Sequence, residues 1–294
     1  MATLKISYVN IRGQTGLQIE KQLQIEEFLK LNKCDILNLQ EAHIETDTFS
    51  ECDYIVSNYS LISNNSSNKY GTACLVKSDL VVEDVMLDTE GRVIVFEIAG
   101  VTFGNVYLPS GTDGATRTRR ENYCAQTIPQ ILVNRKESGC VGGDFNCITN
   151  KIDCTSHPDA KMSASLARLV RAFDWLDSFR FLHPSSVSFS RYYEARGSPG
   201  ATRIDRQYHW GNVVPVSAEY TPLAFSDHLA HSVTVSVPDP LTRMLSPRNR
   251  PQFKVREEVA RDREFQLRVK VAMERWEEIW KGGGCLSCLG GRSL

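Results

Sequence analysis

Apolar residues recur along residues 1–237 in short runs that turn-forming residues separate. In segment 4–9 apolar and polar side chains alternate, which is typical of a strand with one buried face. Segment 18–31 places isoleucine, leucine and phenylalanine on roughly one face of a helix, which predicts an amphipathic helix. Further strands are predicted at 35–40, 73–77, 92–98, 101–108, 140–142 and 231–237, and further helices at 120–133 and 163–175.

This mixture of many short strands with a few helices predicts the fold class. A sheet hides its apolar face against another sheet or against helices. We therefore predict an α/β sandwich in which sheets pack face to face and helices lie outside them. No apolar stretch reaches the roughly 18–20 residues that a membrane helix needs, so we expect no membrane association.

The chain changes character after residue 237. Four prolines and three arginines fall within 238–254, and because proline excludes regular helix and strand we predict a linker there. Segment 255–281 carries apolar residues three or four positions apart, which predicts an amphipathic helical extension. The glycine-rich segment 282–294 is predicted to be disordered. Its Cys285 and Cys288 have no second pair nearby, which argues against a zinc site.

Charge and cysteine content narrow the class of protein. The chain has 294 residues, with 34 Lys and Arg against 35 Asp and Glu. Residues 1–238 carry a net charge of −5 and residues 239–294 carry +4, so any nucleic-acid binding must come from local patches. Nine cysteines, an odd number scattered along the chain, indicate reduced intracellular thiols and not a disulfide framework.

Polar side chains follow several predicted strands at the point where the strand ends. Acidic, amide or histidine groups occur at 10–13, 40–41, 144–146 and 226–228, and Asp205 lies shortly before the last. Any single acid after a strand is more often a turn or helix-cap residue. Five in sequence favour a site, because strand ends aim several side chains at one point. Carboxylates and amides suit Mg²⁺, with Mn²⁺ as a substitute, and with a histidine they suit hydrolysis of a phosphate ester.

These segments resemble the motifs of the endonuclease/exonuclease/phosphatase superfamily. Gly-Gly-Asp-Phe-Asn at 142–146 and Ser-Asp-His at 226–228 are specific, and all the segments stand in the family's order. The opening Asn-Ile-Arg-Gly at 10–13 is similar to the apurinic-type endonuclease domain of LINE-type (non-LTR) retrotransposons. The resemblance implies a DNase I-like four-layer α/β sandwich over 1–237, in which two packed mixed sheets are flanked by helices. Segment 238–294 then looks like the start of the region that precedes the reverse transcriptase in such elements.

The resemblance also implies roles for individual residues. Glu41 would be the principal metal ligand. Asp144 would position and deprotonate the attacking water, and Tyr107 would contact the scissile phosphate through its hydroxyl. His228 would stabilise the charge that develops on the phosphate oxygens, while Asp205 fixes its tautomer. Supporting groups would be Asn10 and Asp227 in the metal shell and Asn146 as a donor to the phosphate.

The sequence departs from the family pattern at two positions that would contact phosphate. Ser110 stands where the family usually has Asn, and a hydroxyl there has a shorter reach. Ser190 stands for the family's Thr before the Asp205 motif, with Ser188 as the other candidate for that hydroxyl. Local cations near these motifs are expected to contact the DNA, and they are Arg12, Arg117, Arg119, Arg120 and Arg206.

The resemblance predicts a Mg²⁺-dependent endonuclease that nicks double-stranded DNA. The product would carry a 3′-hydroxyl that a reverse transcriptase uses as a primer. We expect a nuclear monomer whose partners are DNA and the reverse transcriptase or RNA particle of a retrotransposon. Base specificity would depend on variable loops such as 64–70 or 191–202.

Other interpretations stay open at this point. The same fold also serves the hydrolysis of RNA, nucleotides and phosphoinositides. A decayed transposon remnant would bind DNA or a protein without catalysis, although the intact motif residues argue against decay. A cellular apurinic-site repair enzyme would need an aromatic or apolar wedge, for which Trp210 or nearby loop residues are candidates.

Overall fold

The part of the chain that the computed structural model describes comprises residues 2–13, 18–45, 47–65, 71–195 and 197–237. The predicted linker 238–254, helical extension 255–281 and glycine-rich tail 282–294 lie outside these residues. No helix in the described ranges is long and apolar enough to cross a membrane.

Strands dominate the described residues. They form two six-stranded sheets and a separate two-stranded sheet. The strands are β1 (Ala2–Asn10), β2 (Ile36–Gln40), β3 (Tyr59–Asn65), β4 (Gly71–Lys77), β5 (Glu83–Leu87), β6 (Val93–Ile98), β7 (Val101–Tyr107), β8 (Gly139–Asp144), β9 (Leu176–Asp177), β10 (Arg191–Ala195), β11 (Ser198–Thr202), β12 (Asp205–Trp210), β13 (Val214–Thr221) and β14 (Ala230–Val237).

The two large sheets are both mixed. The first sheet has the order β13-β14-β1-β2-β4-β3, and the second has the order β5-β6-β7-β8-β12-β9. The hairpin of β10 and β11 forms the third sheet, and we call it the arm. The helices are α1 (Ile19–Asn32), α2 (Asp53–Asn58), α3 (Gly114–Asn122), α4 (Ile128–Ile131), α5 (Pro158–Lys161), α6 (Ala164–Ala172) and α7 (Ser178–Leu182).

Apolar packing arranges these elements in four layers. Ile6 of β1 and Phe96 of β6 belong to one buried cluster between the two large sheets. Leu29 of α1 is fully buried in a second cluster on the outer face of the first sheet. Leu166 of α6 is fully buried in a third cluster on the outer face of the second sheet. The predicted α/β sandwich of two mixed sheets flanked by helices is confirmed.

Strand register brings the polar strand ends together. β1 and β2 are parallel, and Asn10 pairs with Gln40 at their carboxyl ends. β7 and β8 are also parallel, and Tyr107 pairs with Asp144 at their carboxyl ends. β12 runs antiparallel to β8, so its first residue, Asp205, pairs with Asp144. Each sheet therefore presents its polar groups at one edge, as expected where parallel strands end.

Several predicted elements differ from the observed ones. The helix predicted at 120–133 starts too late, because α3 begins at Gly114, where the Asp113 side chain caps it by accepting a hydrogen bond from the Thr116 amide. It is also not continuous, since a π-helical turn at Tyr123–Thr127 separates α3 from α4. The helix predicted at 163–175 ends at Ala172.

All seven cysteines in the described residues are free and buried, which agrees with the expectation of reduced thiols. Burial raises the pKa of Cys34 and of Cys147 to about 11. These thiols therefore stay protonated at neutral pH and pack as small apolar groups.

Candidate active site

Asn10 joins the two sheets at the centre of the site. It is the last residue of β1 and is fully buried. Its side-chain amide donates to Glu41 Oε1 at 3.1 Å and to Asp144 Oδ2 at 2.9 Å. Its Oδ1 accepts from the backbone amide of Arg12 at 2.9 Å. Asn10 thus holds two carboxylates together that would otherwise repel each other.

Glu41 follows the end of β2 and adopts a left-handed backbone conformation, with φ of 51°. The hydroxyl of Tyr107 donates to Glu41 Oε1 at 3.0 Å. Burial, and then the Glu41 carboxylate, raise the pKa of Tyr107, so the phenol stays protonated and remains a donor. Oε1 of Glu41 therefore receives hydrogen bonds from both sheets.

Asp144 ends β8 and is buried. Oδ2 of Asp144 also accepts from the Asn146 side-chain amide at 3.1 Å, and Oδ1 accepts from the Asn146 backbone amide at 2.9 Å. The second amide hydrogen of Asn146 goes to the carbonyl of Leu108 at 2.9 Å. In this arrangement Asn146 orients Asp144, and its donation to a phosphate stays a prediction.

The ionisation of Asp144 suits a general base. Burial, and then the nearby Asp205 carboxylate, raise the pKa of Asp144 to about 6. The group is therefore a carboxylate at neutral pH, and it is a stronger proton acceptor than an ordinary aspartate. This agrees with the role that the sequence predicts for it.

Asp205 and His228 form a buried pair. Nδ1 of His228 lies 2.9 Å from Asp205 Oδ2, as the sequence predicts for a carboxylate that fixes a ring tautomer. Burial alone lowers the pKa of an imidazole, but here the Asp205 carboxylate outweighs it and raises the pKa of His228 to about 9. The ring is thus an imidazolium at neutral pH, and its Nε2 is a charged donor.

Ser190 holds the backbone at Asp205 in place. It is fully buried, and its hydroxyl oxygen accepts from the backbone amides of Ile204 and Asp205, both at 3.0 Å. Its hydroxyl lies 3.4 Å from the carbonyl oxygen of Thr202, to which it donates. Ser190 therefore fixes the start of β12, which corrects the expectation that it contacts phosphate.

A divalent metal ion fits the buried end of the site. Among the described residues, one group of three has ligand atoms within 4.8 Å of one another: Asp144, Asp205 and His228. Oδ1 of Asp205 is buried and has no hydrogen-bond partner. A buried carboxylate oxygen without a donor is a place for a cation, and carboxylates suit a hard divalent ion. Glu41 is linked to this group through Asn10.

Asp227 was predicted in the metal shell, but in this structure two arginines contact it. Arg191 donates to Asp227 Oδ2 from Nε at 3.1 Å and forms an ion pair with it through Nη2 at 3.0 Å. Arg12 Nε lies 3.4 Å from Asp227 Oδ1. Sequence reasoning did not single out Arg191, because it lies in a polar stretch without a motif.

The expected DNA-contacting cations are not equivalent. Arg206 is fully buried, donates to the carbonyl of Cys147 and lies over the ring of Phe145, so the expectation that it contacts DNA is wrong. Arg120 is 4% exposed and donates to the carbonyl of Pro109 at 2.8 Å, so the same correction applies to it. The predicted residues that remain at the surface are Arg12, Arg117, Arg119 and Ser110.

All three of these surface arginines already have partners, and that of Arg12 is Asp227. Arg119 forms an ion pair with Glu90. Arg117 Nη2 donates to the carbonyl of Met162 at 3.4 Å. Their contact with DNA stays a prediction.

Comparison with known proteins now assigns the family. The pattern of the Endonuclease/Exonuclease/phosphatase family matches residues 8–228, a range that begins in β1 and ends at His228. The chain belongs to this family. The family consists of metal-dependent enzymes that hydrolyse phosphate esters, and the chain is a member of that enzyme class. No match is found among curated proteins.

Solved structures share the fold at low sequence identity. An AP endonuclease from Archaeoglobus fulgidus is 22% identical with a TM-score of 0.63, over 80% of this chain and 100% of that one. The 3′ phosphatase NExo from Neisseria, bound to a product DNA hairpin, is 22% identical with a TM-score of 0.62, over 78% and 98%. TDP2 from Caenorhabditis elegans is 19% identical with a TM-score of 0.58, over 80% and 75%. These similarities establish the DNase I-like sandwich.

Proposed function

We propose that the protein is a Mg²⁺-dependent endonuclease that nicks double-stranded DNA and leaves a 3′-hydroxyl, as the endonuclease of a LINE-type retrotransposon does. The observation that carries the proposal is one hydrogen-bonded cluster. In it the side-chain amide of Asn10 donates to the carboxylates of both Glu41 and Asp144. Asp205 and His228 have polar side-chain atoms within 4.8 Å of Asp144.

The protein's own groups can perform the hydrolysis. Asp144, a carboxylate above about pH 6, accepts the proton of the attacking water. The imidazolium of His228 donates to a non-bridging phosphate oxygen and stabilises the charge that develops there. The hydrogen bonds from Asn10 and Asn146 hold the Asp144 carboxylate in one orientation while it accepts the proton. The water oxygen attacks the phosphorus of a phosphodiester that lies between these groups, and the bond from phosphorus to the 3′ oxygen breaks. The departing 3′ oxygen takes a proton from solvent and becomes a hydroxyl.

Glu41, with the nearby carboxylates of Asp144 and Asp205, would hold the divalent ion. When bound, this ion supplies positive charge to the phosphate and to the leaving oxygen. Mg²⁺ suits these oxygen donors, and Mn²⁺ is a substitute.

DNA is the substrate that the comparisons support best. Two of the proteins with this fold are an AP endonuclease and a 3′ phosphatase seen with a product DNA hairpin. The LINE assignment rests on the Asn-Ile-Arg-Gly segment at 10–13 and on the segment after 237. Under this proposal the enzyme acts in the nucleus, and a reverse transcriptase extends the nicked strand.

The repair interpretation loses Trp210 as a wedge, and the loop residues near it stay candidates. Trp210 is 4% exposed, its ring stacks 5.9 Å from that of Trp175, and its indole nitrogen donates to the carbonyl of Lys136 at 3.1 Å. A residue packed in this way does not enter an abasic site.

Nicking of supercoiled plasmid tests the proposal. Wild type with Mg²⁺ is expected to convert supercoiled DNA to open circles, and EDTA is expected to stop it. Asp144→Ala and His228→Ala are expected to lose at least about a hundredfold in rate. Asp159→Ala, an exposed aspartate that pairs with Lys151, is the matched control and keeps the wild-type rate.

Two further arms of the assay identify the product and the substrate. A DNA polymerase extends the nicked strand only if it ends in a 3′-hydroxyl. To identify the substrate, an abasic duplex, an RNA and a soluble inositol phosphate are each tested as competitors of the unmodified duplex. Folded wild type that nicks no faster than the two variants would sink the nuclease proposal, and preferential cleavage of the abasic duplex would replace it with repair.

A further inference from the structure

Arg92 is a buried cation that the proposed hydrolysis does not use. It immediately precedes β6, and its side chain is 2% exposed. A guanidinium that leaves water loses hydration free energy unless nearby groups offset the loss. The groups around Arg92 therefore indicate why a charge lies here.

Three contacts connect Arg92 with Tyr107 of β7. The guanidinium carbon, Cζ, lies 5.0 Å from the centre of the Tyr107 ring, within the roughly 6 Å of a cation–π contact. Nη1 donates to the Tyr107 carbonyl at 3.3 Å, and the Tyr107 amide donates to the Arg92 carbonyl at 2.8 Å. Arg92 thus contacts the ring, the carbonyl and the amide of one residue.

Arg92 is itself held in place. Its backbone amide donates to Asp88 Oδ1 at 2.7 Å. The same oxygen accepts from the side-chain amide of Asn64, on β3 of the other sheet, at 2.8 Å. Nε of Arg92 lies 3.9 Å from Glu90 Oε2. The guanidinium is therefore a fixed neighbour of the Tyr107 ring.

The orientation of the Tyr107 ring decides where its hydroxyl lies. Tyr107 is 1% exposed, and its hydroxyl donates to Glu41 Oε1 at 3.0 Å. Asn10 donates to the same oxygen at 3.1 Å. Because the hydroxyl lies at the far end of the ring, a small rotation of the side chain moves it out of hydrogen-bonding distance. A group that holds the ring thus also holds one of the donors to Glu41.

We propose that Arg92 is a positioning residue whose guanidinium holds the Tyr107 ring in the orientation in which the hydroxyl reaches Glu41. The inference rests on the proposed function, because Tyr107 and Glu41 belong to the proposed nuclease site. Arg92 is buried, so it acts through Tyr107 and does not contact DNA. Loss of Arg92 should therefore slow the reaction and leave substrate binding unchanged.

A double-mutant cycle tests whether Arg92 acts through the hydroxyl. Plasmid nicking in Mg²⁺ gives kcat and KM for wild type, Arg92→Gln, Tyr107→Phe and the double variant. Tyr107→Phe removes the hydroxyl and leaves the ring beside the guanidinium. If Arg92 positions the hydroxyl, Arg92→Gln has nothing left to disturb once the hydroxyl is gone.

Arg92→Gln is expected to lower kcat at least about tenfold in wild type and to change KM by less than about twofold. In the Tyr107→Phe background the same substitution is expected to lower kcat by less than about twofold. An equal loss in both backgrounds, no loss in wild type, or a raised KM with unchanged kcat would overturn the proposal. Should Arg92→Gln not fold, Arg92→Lys replaces it in the cycle, because lysine keeps the charge and lacks the planar fork.

Arg135 offers a matched control on the outer face of the second sheet. Its Cζ lies 4.3 Å from the centre of the Phe173 ring, and its Nη2 donates to the Phe173 carbonyl at 3.3 Å. Phe173 packs against the third apolar cluster. Arg135→Gln removes the same two kinds of contact and is expected to change kcat by less than about twofold in either background. A loss as large as that of Arg92→Gln would assign the effect to packing and overturn the proposal.

Stability in EDTA provides a readout that does not depend on activity. Tyr107→Phe is expected to lower the midpoint of urea unfolding in wild type, because Glu41 loses a donor. In Arg92→Gln the same substitution is expected to lower it clearly less, because the hydroxyl is no longer held on Glu41. Equal shifts overturn the proposal whether or not the protein nicks DNA. If wild type does not nick DNA and the shifts differ, the proposed function fails while the link between Arg92 and the hydroxyl stands.

Discussion

The hydroxyl of Ser226 donates a 2.6 Å hydrogen bond to the backbone carbonyl of Asn10, 216 positions earlier in the chain. The same oxygen accepts from the backbone amide of His228 at 3.0 Å. One hydroxyl therefore sets the position of the catalytic imidazole relative to the residue that joins the two carboxylates.

Removing this hydroxyl is expected to damage both stability and catalysis. Ser226→Ala leaves the Asn10 carbonyl and the His228 amide without their partner, which costs about 1–3 kcal/mol in the free energy of unfolding. We expect the nicking rate to fall at least about tenfold because His228 loses its position. Urea unfolding and plasmid nicking measure the two effects. Ser217→Ala, at an exposed position of β13, is the control, and an equal loss there would contradict the expectation.

The ion pair of His228 with Asp205 predicts a pH dependence of stability. Because the pKa of His228 is raised to about 9 in the folded protein, its stabilising contribution is fully present below its ordinary value of about 6.5. The contribution is lost as the pH rises through about 9. We expect wild type to exceed His228→Gln in free energy of unfolding by about 2–3 kcal/mol at pH 6, and by far less at pH 10.

Urea unfolding in EDTA at pH 6, 8 and 10 measures this difference without a bound metal. His183→Gln, at an exposed position, is the matched control for the loss of a histidine. A wild-type advantage over His228→Gln that stays constant from pH 6 to 10 would contradict a raised pKa.

Arg206 is expected to act through folding and not through DNA. Its guanidinium is fully buried, and its removal leaves the carbonyl of Cys147 unpaired and a space between Phe145 and Tyr208. Arg206→Ala is expected to cost about 2–4 kcal/mol in urea unfolding. Arg117→Ala, at a surface position, should leave stability within about 0.5 kcal/mol of wild type. A stable Arg206→Ala protein with weakened DNA binding alone would reverse this assignment.

Gly143 is the position at which β8 can least accept a side chain. Its φ is +132°, and a Cβ atom there would lie 2.0 Å from the carbonyl oxygen of Val106 on β7. Gly143→Ala is therefore expected to cost more than about 3 kcal/mol or to prevent folding, as seen in soluble yield and thermal unfolding. Gly114→Ala is the control, because open space surrounds that position at the start of α3. We expect it to be neutral or slightly stabilising.

The sequence predicts the centre of the site well because its residues stand at strand ends. Asn10, Glu41 and Asp144 each follow an apolar run, and parallel pairing alone brings such ends to one edge of a sheet. The contact between Asn10 and Asp144, in contrast, depends on how one sheet faces the other. Local periodicity carries no information about that packing.

β12 shows why parts of the fold could not be predicted. Its six residues, Asp-Arg-Gln-Tyr-His-Trp, are all buried although most of them are polar. Distant groups pair with some of them: Ser178 accepts from the Gln207 side chain at 3.3 Å and shares a hydrogen bond with His209 at 3.0 Å. A hydrophobic pattern does not reveal a strand whose burial depends on such long-range partners. The same lack of information led to the wrong expectation for Arg206.

The division of the site between two sheets has a consequence for the kinetics of folding. Asn10 and Glu41 follow strands of the first sheet, while Asp144 and Asp205 belong to the second. Neither sheet alone contains a working set of groups, and contacts across such long sequence separations form late. During refolding from urea, recovery of nicking should therefore lag behind the return of far-ultraviolet circular dichroism and coincide with the burial of aromatic rings between the sheets. The recovery of enzymatic activity would then report the time at which the two sheets dock.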